Sequence, residues 1–271
     1  MTPIRLGAVG YLNARPLVFG LDRAPRFAVR FDVPSECARL LHERDIDVGL
    51  IPSIEYLRGP MEYCIVPGAA IASRGPVASV ALYTRMEPRD IRSIAMDTSS
   101  RTSVALAVVL AKRAFGIVPD RVPMPPDCEA MLARADAALI IGDNALLLDH
   151  QAAGAAKIDL GELWKSTTGL PFVYAFWAGQ SGVVSPADVE VLRRARDEGV
   201  ANLDVIARAY YEDDIARQGI AARYLRDNIH CFLGVEEVEG LRTFYRYAAE
   251  AGLVAYDGRL RFYDADHSSA R

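Results

Sequence analysis

The sequence predicts an α/β fold with two lobes, a ligand cleft between the lobes and a helical C-terminal part that packs on the first lobe. Three observations favour this fold. Apolar runs typical of buried strands alternate with helical segments, turn-rich or polar stretches mark two crossings between the lobes, and apolar residues recur at helical spacing over residues 187–251. We therefore assign residues 1–84 and 175–271 to lobe I and residues 85–174 to lobe II.

Lobe I begins with alternating strand and helix patterns. Residues 4–9, 27–33 and 46–51 each predict a strand, and Pro34 and Ser35 begin a helix between the second strand and the third. Because a helical segment separates these neighbouring strands, they should form a parallel sheet with right-handed crossovers.

The crossing into lobe II is placed in the polar stretch 85–92, after a further strand at residues 77–83. Lobe II is then predicted to contain strands at 94–96 and 137–141, a helix at 103–115 that ends at Gly116, and a helix around Met131. Ligands of open α/β sheets bind beyond the carboxyl ends of the strands, so the loops that follow these strands should line the cleft.

The return to lobe I is predicted at residues 170–177. Ser185, Pro186 and Asp188 then form a capping signature that predicts the start of a helix. Helices should fill most of the remaining chain and cover lobe I.

The composition favours a small-molecule partner over a polyanion. The chain carries 31 Lys and Arg against 35 Asp and Glu, a net charge of −4, with no basic block, so we expect no nucleic acid and no anionic membrane surface as partner. The longest aliphatic run, residues 104–111, is far shorter than the ~20 residues of a membrane-spanning helix. The N-terminus lacks the pattern of a secretory signal, which predicts a cytoplasmic location.

No metal and no nucleotide cofactor are predicted. The four cysteines form no CxxC pair and the four histidines no HxxxH pair. No GxGxxG follows a strand, no Walker loop is present, and GxSxG, the motif of α/β-hydrolase nucleophiles, is missing.

The loop after the first strand offers Asn13 and Arg15. The Asn13 amide can both donate and accept hydrogen bonds, and the Arg15 guanidinium can pair with a carboxylate through two parallel bonds. The alternative is structural, with Asn13 capping the following helix and Arg15 on the surface.

A second loop, between a strand and a helix, contains Ser99, Ser100, Arg101, Thr102 and Ser103. Its hydroxyls and the unpaired amides of a helix start would converge at the positive end of the helix dipole, which favours a carboxylate or phosphate. Simple helix capping needs only one of these hydroxyls and is the alternative.

Two further loops complete the set of candidate residues. Gly142 follows a buried strand and would allow close approach of a ligand, while Asp143 beside it would either face the ligand or cap the next helix. Ser79 lies near the predicted crossing, where a lone serine carries little information by itself.

Taken together, five ordered motifs resemble the chorismate dehydratase family of the futalosine pathway to menaquinone. They are Gly10-Tyr11-Leu12-Asn13-Ala14-Arg15-Pro16-Leu17, Ser99-Ser100-Arg101-Thr102-Ser103-Val104, Ile141-Gly142-Asp143-Asn144-Ala145-Leu146, Asp159-Leu160-Gly161-Glu162-Leu163-Trp164 and Thr168-Gly169-Leu170-Pro171-Phe172-Val173. The regions around Tyr224 and Gly240 fit as well. The resemblance implies a periplasmic-binding-protein type II fold and a carbon–oxygen lyase that removes water from chorismate to give 3-[(1-carboxyvinyl)oxy]benzoate.

The resemblance also implies roles for individual residues. Asn13 and Ser79 would lie against the reacting part of the substrate and act as catalytic residues, and residues 99–103 would hold a carboxylate. Arg15 stands where the family often has an uncharged residue, so a substrate contact from it is a separate expectation. We expect no cofactor, and a homodimer is left open.

The candidate loops contain no His or Lys that could act as the base. This favours a carboxylate of the substrate as the proton acceptor, with Asn13 and Ser79 fixing the geometry. Two alternatives remain: a solute-binding protein that closes on a carboxylated ligand without reaction, and the dihydroxynaphthoate synthase of the same pathway, which uses a histidine with no counterpart in these loops.

Overall fold

The computed structural model describes residues 2–263. Residue 1 and residues 264–271, which include His267, lie outside the described residues.

The first sheet has five strands in the order β2-β1-β3-β10-β4. They are β1 (Ile4–Val9), β2 (Phe27–Asp32), β3 (Val48–Pro52), β4 (Tyr63–Ser73) and β10 (Phe172–Gln180). Strand β1 runs parallel to β2 and β3, as the sequence predicts, whereas β10 is antiparallel to both of its neighbours.

The second sheet repeats this plan in the order β7-β6-β8-β5-β9. Its strands are β5 (Val80–Thr84), β6 (Ser93–Asp97), β7 (Asp120–Met124), β8 (Ala137–Ile141) and β9 (Ala156–Asp159). Strand β6 is parallel to β7 and β8, and β5 is antiparallel to β8 and β9.

Ten α-helices lie between and around these strands in the part of the chain from 2 to 263. They are α1 (Pro34–His42), α2 (Glu55–Arg58), α3 (Thr102–Leu110), α4 (Cys128–Arg134), α5 (Gly142–Leu147), α6 (Leu160–Thr168), α7 (Pro186–Ala201), α8 (Leu203–Tyr210), α9 (Ile215–Asp227) and α10 (Val235–Glu250). None of these helices is both long and apolar enough to cross a membrane.

The chain passes between the sheets a few residues earlier than predicted. Strand β5 pairs in the second sheet and β10 in the first, so the crossings fall at residues 74–79 and 160–171 rather than after residues 84 and 174. The difference arises because both strands are mostly apolar and almost entirely buried, and such a run does not reveal which of two sheets it joins. The assignment of lobes to these residue ranges otherwise stays a prediction.

A 3₁₀ helix, Leu12–Val18, follows β1 and fixes the first candidate loop. Its buried face packs on α7, where the Pro16 carbonyl comes so close to Gly199 that any Cβ there would collide with it. A residue with a side chain at position 199 would therefore push this loop away from α7.

The helix starts follow the predicted chemistry. Ser185 caps α7 through the Asp188 amide, and the Asp188 side chain accepts in return from Ser185, which confirms the capping signature. Helix α3 continues as a π turn, Ala111–Phe115, and ends at Gly116, whose φ of 73° is a left-handed conformation that glycine adopts freely.

Candidate active site

A cavity lies between the two sheets, beyond the carboxyl ends of β1, β6 and β8. The first sheet and its loops contribute apolar and aromatic side chains, including Tyr11, Ile71 and Tyr174, together with Asn13. The second sheet contributes the start of α3 and the end of β8. The lining on that side comprises Val80, Ser100, Arg101, Thr102, Ser103, Ile141 and Gly142. The strand-end argument therefore predicts the position of this cavity.

Asn13 places its amide in the cavity from the 3₁₀ helix after β1. Its Oδ1 atom is buried and accepts no hydrogen bond from any residue that the structure describes. A buried acceptor without a donor costs free energy, so this oxygen is suited to a hydrogen-bond donor on a ligand. The capping alternative for Asn13 is not supported, because it accepts no amide of its own helix.

The start of α3 forms the polar wall of the cavity. The Ser100 hydroxyl accepts a 3.2 Å bond from the Ser103 amide, and the Thr102 hydroxyl accepts a 3.2 Å bond from the Ile54 amide in the other half of the molecule. Within residues 2–263, the amides of Arg101 and Thr102 donate to no protein acceptor. Free amides at the positive end of a nine-residue helix are suited to an anion.

Ser99 does not belong to this polar wall. Its hydroxyl donates a 2.7 Å bond to the buried Asp97 carboxylate, which also accepts from the Ser99 amide at 2.9 Å and from the Ile141 amide at 3.3 Å. Asp97 thus ties the loop to β8, and the Ser99 hydroxyl gives its one proton to Asp97 while it accepts a 3.4 Å hydrogen bond from Tyr11. The predicted substrate contact of Ser99 is not supported by this arrangement, whereas Ser100, Arg101, Thr102 and Ser103 all line the cavity.

Ser79 is only 1% exposed and is not among the residues that line the cavity, so its predicted contact with the substrate stays a prediction. Its hydroxyl is 2.7 Å from the Tyr224 hydroxyl of α9, which is itself 3% exposed. Burial raises the pKa of Tyr224, so the phenol stays protonated. Ser79 follows Ala78, whose φ of 61° is a left-handed conformation that is strained for a residue with a Cβ.

Gly142 and Asp143 are adjacent in the sequence, but only Gly142 lines the cavity. Gly142, with a φ of 64°, lies under the Tyr11 ring and lines the cavity, and a Cβ built there would stand 3.1 Å from that ring. The Asp143 carboxylate points out of the cavity and accepts a hydrogen bond from Tyr210 of α8. Burial raises the pKa of Asp143, although the Tyr210 hydroxyl acts in the opposite direction. The predicted substrate contact of Asp143 is not supported.

Arg15 also lies outside the cavity, on an outer groove between β2 and α8. Its guanidinium carbon is 4.4 Å from the centre of the Phe31 ring and 5.2 Å from that of Tyr210, and it donates to the Gly10 carbonyl at 3.2 Å. This packing is consistent with the structural alternative for Arg15. The expected substrate contact is not supported.

Sequence reasoning assigned no role to Tyr224 or Asp159. Tyr224 lies 145 positions from Ser79, and no local pattern connects two residues at such a separation. Asp159 caps α6 and also accepts from the amides of Val77 and Ala78. An aspartate before a helix indicates a cap, so the cap on α6 could be predicted from the sequence. The hydrogen bonds from Val77 and Ala78 could not, because those residues lie about 80 positions away.

No group of three or more His, Cys, Asp or Glu side chains that could hold a metal ion occurs within residues 2–263. Burial raises the pKa of Cys37 and of Cys231 to about 12, so both thiols stay protonated.

Comparison with known proteins gives one family and one fold. A family model described as menaquinone biosynthesis matches residues 4–250. A chorismate dehydratase of Thermus thermophilus is 33% identical over 225 residues, which cover 77% of this chain and 82% of that protein. A chorismate dehydratase of Campylobacter jejuni is 31% identical over 176 residues, which cover 62% of this chain and 64% of that protein.

Solved structures with the same architecture are more distant in sequence. A protein of Archaeoglobus fulgidus has a TM-score of 0.73 at 19% identity and covers 93% of this chain and 98% of its own. The alkanesulfonate-binding protein of Xanthomonas axonopodis pv. citri, solved bound to MOPS, has a TM-score of 0.69 at 14% identity, covering 94% of this chain and 95% of its own. These likenesses confirm the predicted periplasmic-binding-protein fold.

Proposed function

The chain belongs to the menaquinone biosynthesis family, and from this premise we propose that it is a chorismate dehydratase. The reaction is the loss of water from chorismate to give 3-[(1-carboxyvinyl)oxy]benzoate, which makes the enzyme a carbon–oxygen lyase. A proton leaves C3 and the hydroxyl leaves C4, so the cyclohexadiene ring becomes aromatic. The gain in aromaticity supplies the driving force, and the protein has to bind the dianion and direct the elimination.

The observation that carries this proposal is the chemistry of the cavity lining. One wall offers the free amides of Arg101 and Thr102, while the opposite wall offers the unpaired Asn13 amide oxygen. Within residues 2–263, the lining includes no carboxylate, imidazole, thiol or amine. Such a site can hold an anion and accept a hydroxyl proton in a hydrogen bond, and it has no protein group that is basic enough to take a proton from carbon.

The substrate supplies the missing base. With the ring carboxylate held at the start of α3, the enolpyruvyl carboxylate stays close to C3, because the ether oxygen that carries it is bonded to that carbon. This carboxylate takes the C3 proton and passes it to the departing C4 hydroxyl, so that the oxygen leaves as water and the carboxylate is regenerated. Asn13 is suited to orient the C4 hydroxyl, and Ser79 to donate a hydrogen bond as negative charge develops on that oxygen.

A non-catalytic solute-binding protein would use the same fold and the same anion site. The structural likeness to sulfonate-binding proteins gives this alternative its basis, although it concerns the fold alone. The two proposals differ in one measurable outcome, which is whether the ligand is consumed.

The test is incubation of the purified chain with chorismate, followed by mass spectrometry for the product that has lost one water. Boiled protein and the Asn13→Ala variant serve as controls for the spontaneous breakdown of chorismate. We expect a product that forms in proportion to the amount of native protein. Saturable binding of chorismate without any product would instead establish the solute-binding function. A cytoplasmic location and a homodimer stay predictions.

A further inference from the structure

The hydroxyl of Tyr224 lies beside that of Ser79, and no step of the proposed reaction uses it. The Tyr224 phenol, on α9, reaches across the molecule to Ser79 at the crossing between the sheets, with 2.7 Å between the two oxygens. Both residues are buried, and neither lines the cavity, so the contact is shielded from water. A hydrogen bond in such surroundings is electrostatically stronger than one exposed to water.

The phenol also lies close to the other predicted catalytic residue. Hydrogen bonding from the Asn13 side chain lowers the pKa of Tyr224, but burial has the larger effect and leaves the phenol protonated. A neutral phenol has one proton to donate, and its oxygen can accept at the same time. It can therefore donate to the Ser79 oxygen, 2.7 Å away, and still accept a hydrogen bond itself.

With Tyr224 as the donor, the Ser79 proton is not used in their mutual hydrogen bond. A serine hydroxyl carries one proton and two lone pairs, so an oxygen that accepts from Tyr224 has its own proton free for another acceptor. Asn13, whose Oδ1 accepts from no residue that the structure describes, lines the cavity. We propose that Tyr224 is a positioning residue, which holds the Ser79 hydroxyl in one rotamer and turns its proton toward the departing oxygen of the substrate.

This role of Tyr224 rests on the proposed dehydratase function. It predicts that the hydroxyl is needed for activity, whereas a packing role would require only the ring. Tyr224→Phe retains the buried ring and removes only the hydroxyl, so a purely structural role of the ring would leave activity intact. Without a fixed orientation, the Ser79 hydroxyl should stabilise the transition state less, while binding of the substrate changes little. The expected signature is a lower kcat with little change in KM.

The experiment is a double-mutant cycle between Tyr224→Phe and Ser79→Ala, with chorismate as the substrate. Tyr83→Phe is the matched control, because Tyr83 is fully buried, donates one 3.0 Å bond to the Ala145 carbonyl and lies outside the cavity lining. Rates are compared at a temperature at which circular dichroism shows every variant to be folded. Wild-type turnover is measured first, since its absence would refute the proposed function rather than the role of Tyr224.

We expect Tyr224→Phe to lower kcat by about tenfold with KM changed by less than about threefold, and Tyr83→Phe to retain full activity. In the Ser79→Ala background the further effect of Tyr224→Phe should shrink to less than about threefold, because the group it positions is gone. Full activity of Tyr224→Phe would overturn the inference. An equal loss with and without Ser79 would overturn it too, since Tyr224 would then act independently.

Discussion

The Asp159 carboxylate accepts a 2.6 Å hydrogen bond from the amide of Ala78, the residue immediately before Ser79. The same carboxylate accepts from the Val77 amide at 3.0 Å, and Lys157 donates to the Ala78 carbonyl at 2.7 Å. Ala78 therefore has both backbone groups held in a left-handed conformation that alanine disfavours by roughly 1–2 kcal/mol. This clamp fixes where the Ser79 side chain begins.

Replacement of Ala78 by glycine should stabilise the protein. Glycine adopts a φ of 61° without a Cβ penalty, and we expect the free energy of unfolding to rise by about 1 kcal/mol, partly offset by the greater chain entropy of the unfolded state. Urea denaturation measures the change. The control is Ala133→Gly at an exposed site of α4, which should lower stability. A loss of stability in Ala78→Gly would show that residue 78 is not strained.

Asn13→Ala should abolish most turnover without unfolding the chain. Because no residue that the structure describes donates to Oδ1 of Asn13, its removal breaks no hydrogen bond there and should leave the melting temperature near that of the wild type. We expect kcat to fall by about 10²-fold, the scale of a deleted oxyanion donor. Asn144→Ala, an exposed amide outside the cavity, is the control. Full turnover of Asn13→Ala would remove this residue from the mechanism.

Ser100→Asp should weaken binding while it preserves the fold. Ser100 caps α3 by accepting from the Ser103 amide, and aspartate is an equally good cap. The new carboxylate would, however, stand beside the free amides of Arg101 and Thr102 and repel an anionic ligand.

We expect the Kd for the enolpyruvyl benzoate product to rise by at least about tenfold, as measured by isothermal titration calorimetry. Ser166→Asp, on the exposed face of α6, adds the same charge elsewhere and should leave the Kd unchanged. Equal affinity of the Ser100→Asp variant and the wild type would place the anion somewhere else.

The pH dependence of stability should carry a contribution from Asp143. Burial raises the pKa of this carboxyl above its unfolded value of about 3.9, so the native state binds the proton more strongly than the unfolded state does. Its contribution to stability is therefore fully present below about pH 3.9 and is lost as the pH rises through the folded pKa.

Asp143→Asn should remove this effect and keep the acceptor for Tyr210. We expect a melting temperature above that of the wild type at pH 7, with the difference closing as the pH falls toward 4. Differential scanning calorimetry over this range is the measurement, and Asp213→Asn at an exposed position is the control. A variant that is less stable than the wild type at pH 7 would show that the ionised carboxylate is stabilising.

The sequence predicts which loops form the site, but it does not predict which residue in each loop faces the ligand. Asn13, Ser100 and Gly142 follow strands that end at one edge of each sheet, and this topology brings them together. Arg15 was expected beside Asn13 because it is close in sequence. In a 3₁₀ helix, residues two apart point about 120° away from each other, so the two side chains leave on different faces.

The same limit applies to contacts across the fold. The separation of Gly142 from Asp143 follows from the angle between successive residues of α5, which no pattern in a six-residue helix reveals. The strands were predictable from apolar runs, whereas the membership of β5 and β10 in their sheets depends on pairing partners that lie far away in the chain. The contact of Tyr224 with Ser79 was unpredictable for the same reason, because only the folded chain brings α9 to Ser79.

The strand order of the first sheet sets a schedule for synthesis on the ribosome. The second sheet is built from one continuous stretch, from β5 to β9, and all of its strands leave the exit tunnel before β10 does. Strand β4, by contrast, pairs with β10 alone among the described strands and makes isolated bridges to His230 and Phe262, so all of its partners are synthesised later. The half of the protein that starts first is therefore the half that is completed last, and the nascent chain carries an open sheet edge in the meantime.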